Sequence, residues 1–182
     1  MISDKSLYSS FLEGDIPSFE ELVIRHRHSL VYFIMQYVKS YQIAEDIAQE
    51  VFAYIYSKPD QYSADYVFKT FLFMLGKRRA IDYIRKESKY QTISLDEADL
   101  RDASSLTDII FQSHDFAILK EYVNELKLEY RQVIILIDLN GLSLAETAKI
   151  MDKSVSAIKV LSHRAKKRLK QIMEKGGYSY EV

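Results

Sequence analysis

The side chains of Ser156, Ala157, Lys159, Val160, His163, Arg164 and Lys167 recur on one side of a helix at a spacing of three and four residues. The early ones are small or polar and the later ones cationic, a division that suits nucleic acid. The first two turns of such a helix could enter a major groove and meet base edges. Arg164, Lys166, Lys167, Arg168 and Lys170 would then lie close enough to the backbone to pair with phosphates. The plain alternative is a solvated helix whose C-terminal cations complement its macrodipole.

A second set stands further back in the chain. Lys77, Arg78, Arg79 and Arg85 are the exposed cations of another helical stretch, and the polar, aromatic segment before it carries Tyr62 and Tyr66. Aromatics are dense from Phe52 to Tyr83, and most must be core. Tyrosines in a loop beside so many cations could instead stack unpaired bases, the usual way a single strand is held. A third set, Asp46, Gln49 and Glu50, makes an acidic and amide patch within about one helical turn. Periodicity alone reads that patch as ordinary solvated surface.

Catalysis finds little to work with. There are no cysteines, and the sequence has neither a phosphate-cradling glycine-rich loop nor an HExxH metal motif. His26 and His28 have no third ligand at metal spacing. Asp46 and Glu50 could bind Mg²⁺, but two acids on one helix surface are more often just solvated. We therefore expect a binding protein, not an enzyme, without catalytic residues, metal, cofactor or small-molecule substrate.

Charge is unevenly placed within a formal total of −1. Lys69, Lys77, Arg78, Arg79, Arg85, Lys86 and Lys89 crowd one segment and the C-terminal helix holds a second cluster. Asp96, Glu97, Asp99, Asp102, Asp108 and Asp115 lie between them. The apolar runs at Leu30 to Met35 and Val133 to Ile137 are too short to span a bilayer, and the N-terminus lacks a signal-peptide core. These features predict a soluble, cytoplasmic protein.

The elements that must position these groups are helices. With 5 glycines and 2 prolines the chain has little punctuation for hairpins, and Val133 to Ile137, the one tempting strand, reads as a buried helix segment. A short first helix carries Leu7, Phe11 and Leu12 inward and stops at Gly14. A long one runs from Ser18 to Val38 with Phe19, Leu22, Val23, His26, Leu30, Phe33, Ile34 and Tyr37 buried and Glu20, Glu21, Arg25 and Arg27 outward. The third spans Ile43 to Ser57 on Ile43, Ile47, Val51 and Ile55, and Pro59 ends it. Phe68 to Lys86 is the fourth, with Phe71, Leu72, Leu75, Ile81 and Ile84 inward. Gln91 to His114 loses the helical period and reads as a linker with a short helix near Leu106 to Phe111. Phe116 to Leu128 and Arg131 to Leu139 are helical again.

Next comes a helix-turn-helix. Ser143 and Glu146 form a capping box that opens a short helix with Leu144, Ala145, Ala148 and Met151 inward. It must stop at Asp152, which tolerates a left-handed turn conformation. Ser154 caps the next helix, whose inner side is Val155, Ile158, Ala165 and Leu169, and Gly176 and Gly177 end it. The expected fold is all-α, with two small helical domains joined by an acidic flexible linker. Residues 1–90 form the first, 91–114 the linker, 115–175 the helix-turn-helix domain and 176–182 a tail.

Three runs carry a family likeness. Ala44 through Asp46, Gln49 and Glu50 to Phe52 is the first, and Arg79, Ala80, Ile81, Asp82, Tyr83, Ile84 and Arg85 the second. The third extends from Gly141, Leu142 and Ser143 through His163, Arg164 and Ala165 to Lys167, Arg168 and Leu169. In this order they resemble the compact bacterial sigma factors of the extracytoplasmic-function group. The resemblance implies a specificity subunit of RNA polymerase, whose first domain docks on the core enzyme and opens the minus-ten element and whose last domain reads the minus-thirty-five element. Asp46, Gln49 and Glu50 match the positions that grip the clamp of the polymerase's largest subunit, which gives the acidic patch a use. The basic helix matches the segment beside the melted strand, and the loop before it the one that captures a flipped base. Promoter DNA, core polymerase and an anti-sigma factor are the partners implied. The family's usual tryptophans near Tyr56 and Phe71 are absent, Arg78 stands where asparagine is common, and Asp152 where the turn usually has glycine.

Two other readings compete on the residues alone. A free-standing helix-turn-helix regulator, dimeric on a palindromic site, explains the C-terminal half equally well but leaves the second basic helix and the acidic patch without a purpose. A nucleic-acid enzyme would need chemistry that these residues do not assemble.

Overall fold

The computed structural model describes residues 2–61, 67–90, 119 and 121–177, and every regular element among them is helical. The expected linker, its short helix, the tail beyond Gly177, and Tyr62 and Tyr66 lie outside the described residues. The chain divides into two units, Met1–Ala103 and Ser104–Val182.

In the first unit, α1 (Asp4–Leu12), α2 (Ile16–Val38), α3 (Tyr41–Ser57) and α4 (Phe68–Tyr90) pack as a bundle in which α2 touches each of the other three. Ser3 caps α1 by accepting from the Ser6 amide, and Ser40 caps α3 by accepting from that of Ile43. The second helix starts at Ile16, with Pro17 in its first turn, where the missing N–H costs nothing. The third starts at Tyr41, two residues before the expected Ile43, because Ser40 provides the cap. Pro59–Gln61 form a 3-10 turn after α3.

The core is apolar and aromatic. Leu22, Leu30, Phe33, Ile34, Leu72 and Phe73 are closed to solvent. Around Tyr8 the rings of Phe11, Phe19, Phe52, Tyr56 and Phe68 pack in a chain of edge and tilted contacts. Gly76 brings α4 against α2: a Cβ there would stand 2.7 Å from Leu30 Cδ1. Two of the residues expected inside are not. Leu12 and Ile84 are exposed, Leu12 because α1 ends there and Ile84 because α4 runs on to Tyr90, past the part that the bundle covers.

Arg25, expected to point outward, is half-buried: it ties the start of α1 to α2 through Asp4 at 3.3 Å and the preceding Ile2 carbonyl at 2.7 Å, and pairs within α2 with Glu21 at 2.7 Å. Its neighbour His26 is buried, with Nε2 2.7 Å from an Asp4 carboxylate oxygen. Burial lowers the His26 pKa below the ordinary histidine value, against the opposing pull of Asp4. The unfolded chain takes up this proton at about pH 6.5, whereas the fold resists it until lower pH. Stability from this source is complete above that pH and is lost as pH falls through the folded-state pKa. Between about pH 7 and about pH 5 the melting temperature of the wild type is expected to fall more steeply than that of His26→Gln. Parallel slopes in a thermal melt series would remove His26 as the cause.

In the second unit, residues 121–124 are helical and a turn follows at 125–126, so the helix expected to reach Leu128 ends earlier. Leu128 instead opens α5 (Leu128–Ile134), which widens into a π-helical stretch, Ile135–Leu139. The β-branched run is helical and its Val133, Ile134, Ile135 and Leu136 are buried. The terminal carbonyls of this stretch are satisfied by the turn: the Asn140 amide donates to Ile135 O, that of Gly141 to Ile137 O and that of Leu142 to Leu136 O. Then come α6 (Leu144–Met151) and α7 (Val155–Lys175), and α7 packs on both α5 and α6.

Candidate functional site

The turn between α6 and α7 sets where the exposed side of α7 points. Ser143 accepts from the Glu146 amide at 3.2 Å while the Glu146 carboxylate accepts from the Ser143 amide at 2.7 Å, so both halves of the capping box are closed. Asp152 ends α6 in the left-handed conformation, φ 54 and ψ 48. Two residues on, Ser154 Oγ accepts from the Ala157 amide at 3.2 Å and starts α7. Ser143→Ala is expected to cost about 1 kcal/mol, because it strands an amide and leaves Glu146 without its hydroxyl partner. A matching drop in denaturant midpoint at unchanged m-value would register it.

Ile158, Ala165, Ile172 and Met173 of α7 are buried, and Ser162 faces inward with them. Ser156, Ala157, Lys159, Val160, His163, Arg164 and Lys167 are all exposed, on one side. Val155, expected inside, is exposed, and so is Ala145 of α6. Thr147 and Ile150 take the inward places, as the phase of α6 is set by Ala148 and Met151 against α7. The cations are not equivalent. Lys166 Nζ lies 2.7 Å from Asp138 Oδ1, whereas Lys170 makes only a loose surface pair with Glu174 at 3.8 Å. Lys153 Nζ is 2.9 Å from Glu129 Oε1 and helps hold the turn to α5. Arg164 and Lys167 make no ion pair among the described residues.

In the first unit, Asp46, Gln49 and Glu50 are exposed on the side of α3 away from the buried Ala44, Ile47, Ala48, Val51 and Ile55. None of the three is paired among the described residues, whereas their neighbour Glu45 is held by Arg27. On α4, Arg78, Arg79 and Arg85 are exposed and Lys77 half-buried. Arg85 lies 3.9 Å from Asp82, a loose surface pair worth little. The Arg79 guanidinium lies 5.6 Å from the centre of the Tyr54 ring, a contact between α4 and α3 that periodicity could not reveal.

Among the described residues there is no group of acidic, histidine or cysteine side chains that could hold a metal ion. No helix there is long and apolar enough to cross a membrane. The arrangement offers binding surfaces of opposite sign.

Residues 22–90 match the family model of sigma-70 region 2, and residues 116–169 that of sigma-70 region 4. The chain is 29% identical over 157 residues to the ECF RNA polymerase sigma factor SigM of Bacillus subtilis (strain 168), covering 86% of this chain and 96% of that protein. It is 25% identical over 178 residues to the ECF RNA polymerase sigma-E factor of Escherichia coli (strain K12), covering 92% and 93%. Among solved structures, CnrH in complex with the cytosolic domain of CnrY aligns with a TM-score of 0.66 at 23% identity, over 94% of this chain and 97% of that one. The sigma factor RpoE in complex with the anti-sigma factor NepR from Bartonella quintana aligns at 0.67 and 21%, over 87% and 98%. At these identities the two structures show the shared fold.

Proposed function

Because the chain belongs to the sigma-70 family, and within it to the ECF-type RNA polymerase sigma factors, we propose that its exposed surfaces divide the steps of promoter-specific transcription initiation. In this reading residues 1–90 form the domain that docks on core polymerase and opens the minus-ten element. Residues 91–114 are the connector, 115–175 the domain that reads the minus-thirty-five element and 176–182 the tail. Asp46, Gln49 and Glu50 dock on the clamp of the largest subunit. Lys77, Arg78, Arg79 and Arg85 follow the melted strand, with Tyr62 and Tyr66 stacking on its bases. The exposed side of α7 carries base contacts at Ser156, Ala157, Lys159, Val160 and His163, and phosphate contacts at Arg164 and Lys167. The observation that supports this division is the order of the two matched regions, each with its exposed surface on the matched helices.

Purified core polymerase supplied with genomic fragments tests it. Start sites that arise only when this protein is added are the expected result. Self-association on a palindromic site without any effect on polymerase would overturn the reading in favour of a free-standing regulator. The Bartonella quintana RpoE was solved with an anti-sigma factor, and a protein of that class is the regulatory partner we expect here.

Strand opening has its own test. Arg78→Ala is expected to lose activity on duplex promoter and regain it on a premelted template, where the unstacking cost of a few kcal/mol has already been met. The same loss on both templates would take Arg78 out of opening.

A further inference from the structure

Tyr8 of α1 touches both described flanks of the segment that joins α3 to α4. Its hydroxyl donates to the Pro59 carbonyl at 2.8 Å, although the two residues stand 51 positions apart in the chain. Its ring centre lies 5.4 Å from that of Phe68, the first residue of α4. The two contacts use different parts of one side chain, which is only 1% exposed. A phenylalanine would fill the same space, so what the hydroxyl adds is the hold on Pro59.

Both contacts are backed by further ones. The helix that carries Tyr8 is fixed at its start by Asp4, which pairs with Arg25 at 3.3 Å and lies 2.7 Å from His26 Nε2. Phe68 is buried, and the His26 ring centre lies 5.8 Å from its own. On the other flank Pro59 opens the 3-10 turn, where the Gln61 amide donates to the Lys58 carbonyl at 3.1 Å. Pro59 and Phe68 are thus tied to each other through α1, which supplies none of the surfaces proposed for polymerase or DNA. A segment whose two flanks are already fixed loses less freedom on receiving a ligand than one with a loose flank. The free energy of the Tyr8 hydrogen bond is gained on folding, before any strand arrives. Without it, the ordering of Pro59 falls to the binding step.

We infer that Tyr8 is a positioning residue for base capture: it holds Pro59 and Phe68 so that the chain between them meets an unpaired base at reduced entropic cost. This role rests on the reading that Tyr62 and Tyr66 stack on bases of the melted strand.

The test uses holoenzyme reconstituted from core polymerase and the full chain, with a fluorescent single-stranded oligonucleotide that covers the minus-ten element of a mapped start site. A parallel set replaces one base at a time with an abasic site, and the position whose loss weakens wild type most marks the captured base. Tyr8→Phe should bind the intact strand about two- to tenfold more weakly, the span of one net hydrogen bond. It should bind the strand abasic at that position like wild type, since no base is left to capture, and its affinity for core polymerase should be unchanged. Phe68→Leu keeps apolar bulk but loosens the second flank, and should show the same base-dependent loss. Thermal melts accompany both variants, and all titrations are run well below the melting transitions. A change that merely weakens the bundle acts on both strands alike, so equal losses on intact and abasic strands would overturn this role. It is overturned too if Tyr8→Phe binds the intact strand like wild type while Tyr62→Ala or Tyr66→Ala weakens it, and the capture reading then stands. If neither Tyr62→Ala nor Tyr66→Ala weakens the intact strand, the capture reading fails and the role of Tyr8 falls with it.

Discussion

The triple variant Asp46→Ala, Gln49→Ala, Glu50→Ala is expected to keep its helix content and melting temperature but to fail to capture core polymerase or to direct transcription. The three side chains are exposed and unpaired among the described residues, while the core of α3 lies on Ala44, Ile47, Ala48, Val51 and Ile55. Removing them opens no cavity, and alanine is a better helix former than any of the three. Stability should therefore hold or rise slightly. Binding is another matter, because truncating one partner of a desolvated, hydrogen-bonded charge pair costs roughly 2 to 5 kcal/mol, well over tenfold in affinity. Titration of labelled core enzyme against the folded variant checks it. Glu45 is the internal control: it lies beside the patch but is already held by Arg27. Unchanged affinity of the triple variant would move the docking surface elsewhere.

On the second unit, Lys159→Ala is expected to cost about 1 to 3 kcal/mol at some promoters and almost nothing at others, the mark of a base contact. Arg164→Ala and Lys167→Ala should instead weaken all promoters alike and each flatten the salt dependence by about 0.9. Lys166→Ala separates these predictions from a general effect of charge. Its ammonium is engaged by Asp138, so its loss should leave the salt dependence close to that of wild type. Binding isotherms on promoter fragments at several salt concentrations decide the matter. A uniform loss from Lys159→Ala, or a flattened slope from Lys166→Ala equal to that of Arg164→Ala, would mean that α7 lies in the groove at a different rotation.

Much of this was legible where the signal is local. The capping box at Ser143, the left-handed stop at Asp152 and the cap at Ser154 each follow from one or two residues and their immediate backbone, and all are present. The acidic face of α3 was equally plain, since a strong stripe every fourth residue fixes which side is out. The rotation of α6 and α7 was less so. Periodicity gives the width of an apolar stripe better than its phase, and small or β-branched residues at helix starts fit either side. Val155 and Ala145 therefore proved exposed, and Ser162 and Thr147 buried. Partners distant in sequence left no trace at all: nothing at Lys166 announces Asp138, and nothing at Tyr54 announces Arg79. Tyr62 and Tyr66 stay as the resemblance and their composition left them.

The close seam at Gly76 bears on both exposed faces of the first unit. A Cβ on this residue would stand 2.7 Å from Leu30 Cδ1 and 3.5 Å from Ile34 Cδ1, both side chains closed to solvent. The α2–α4 spacing therefore has almost no slack, and α3 packs against the same two helices. Both the acidic side of α3 and the basic side of α4 are thus built on helices packed closely against α2, so a bulkier residue at position 76 would be felt at both faces together.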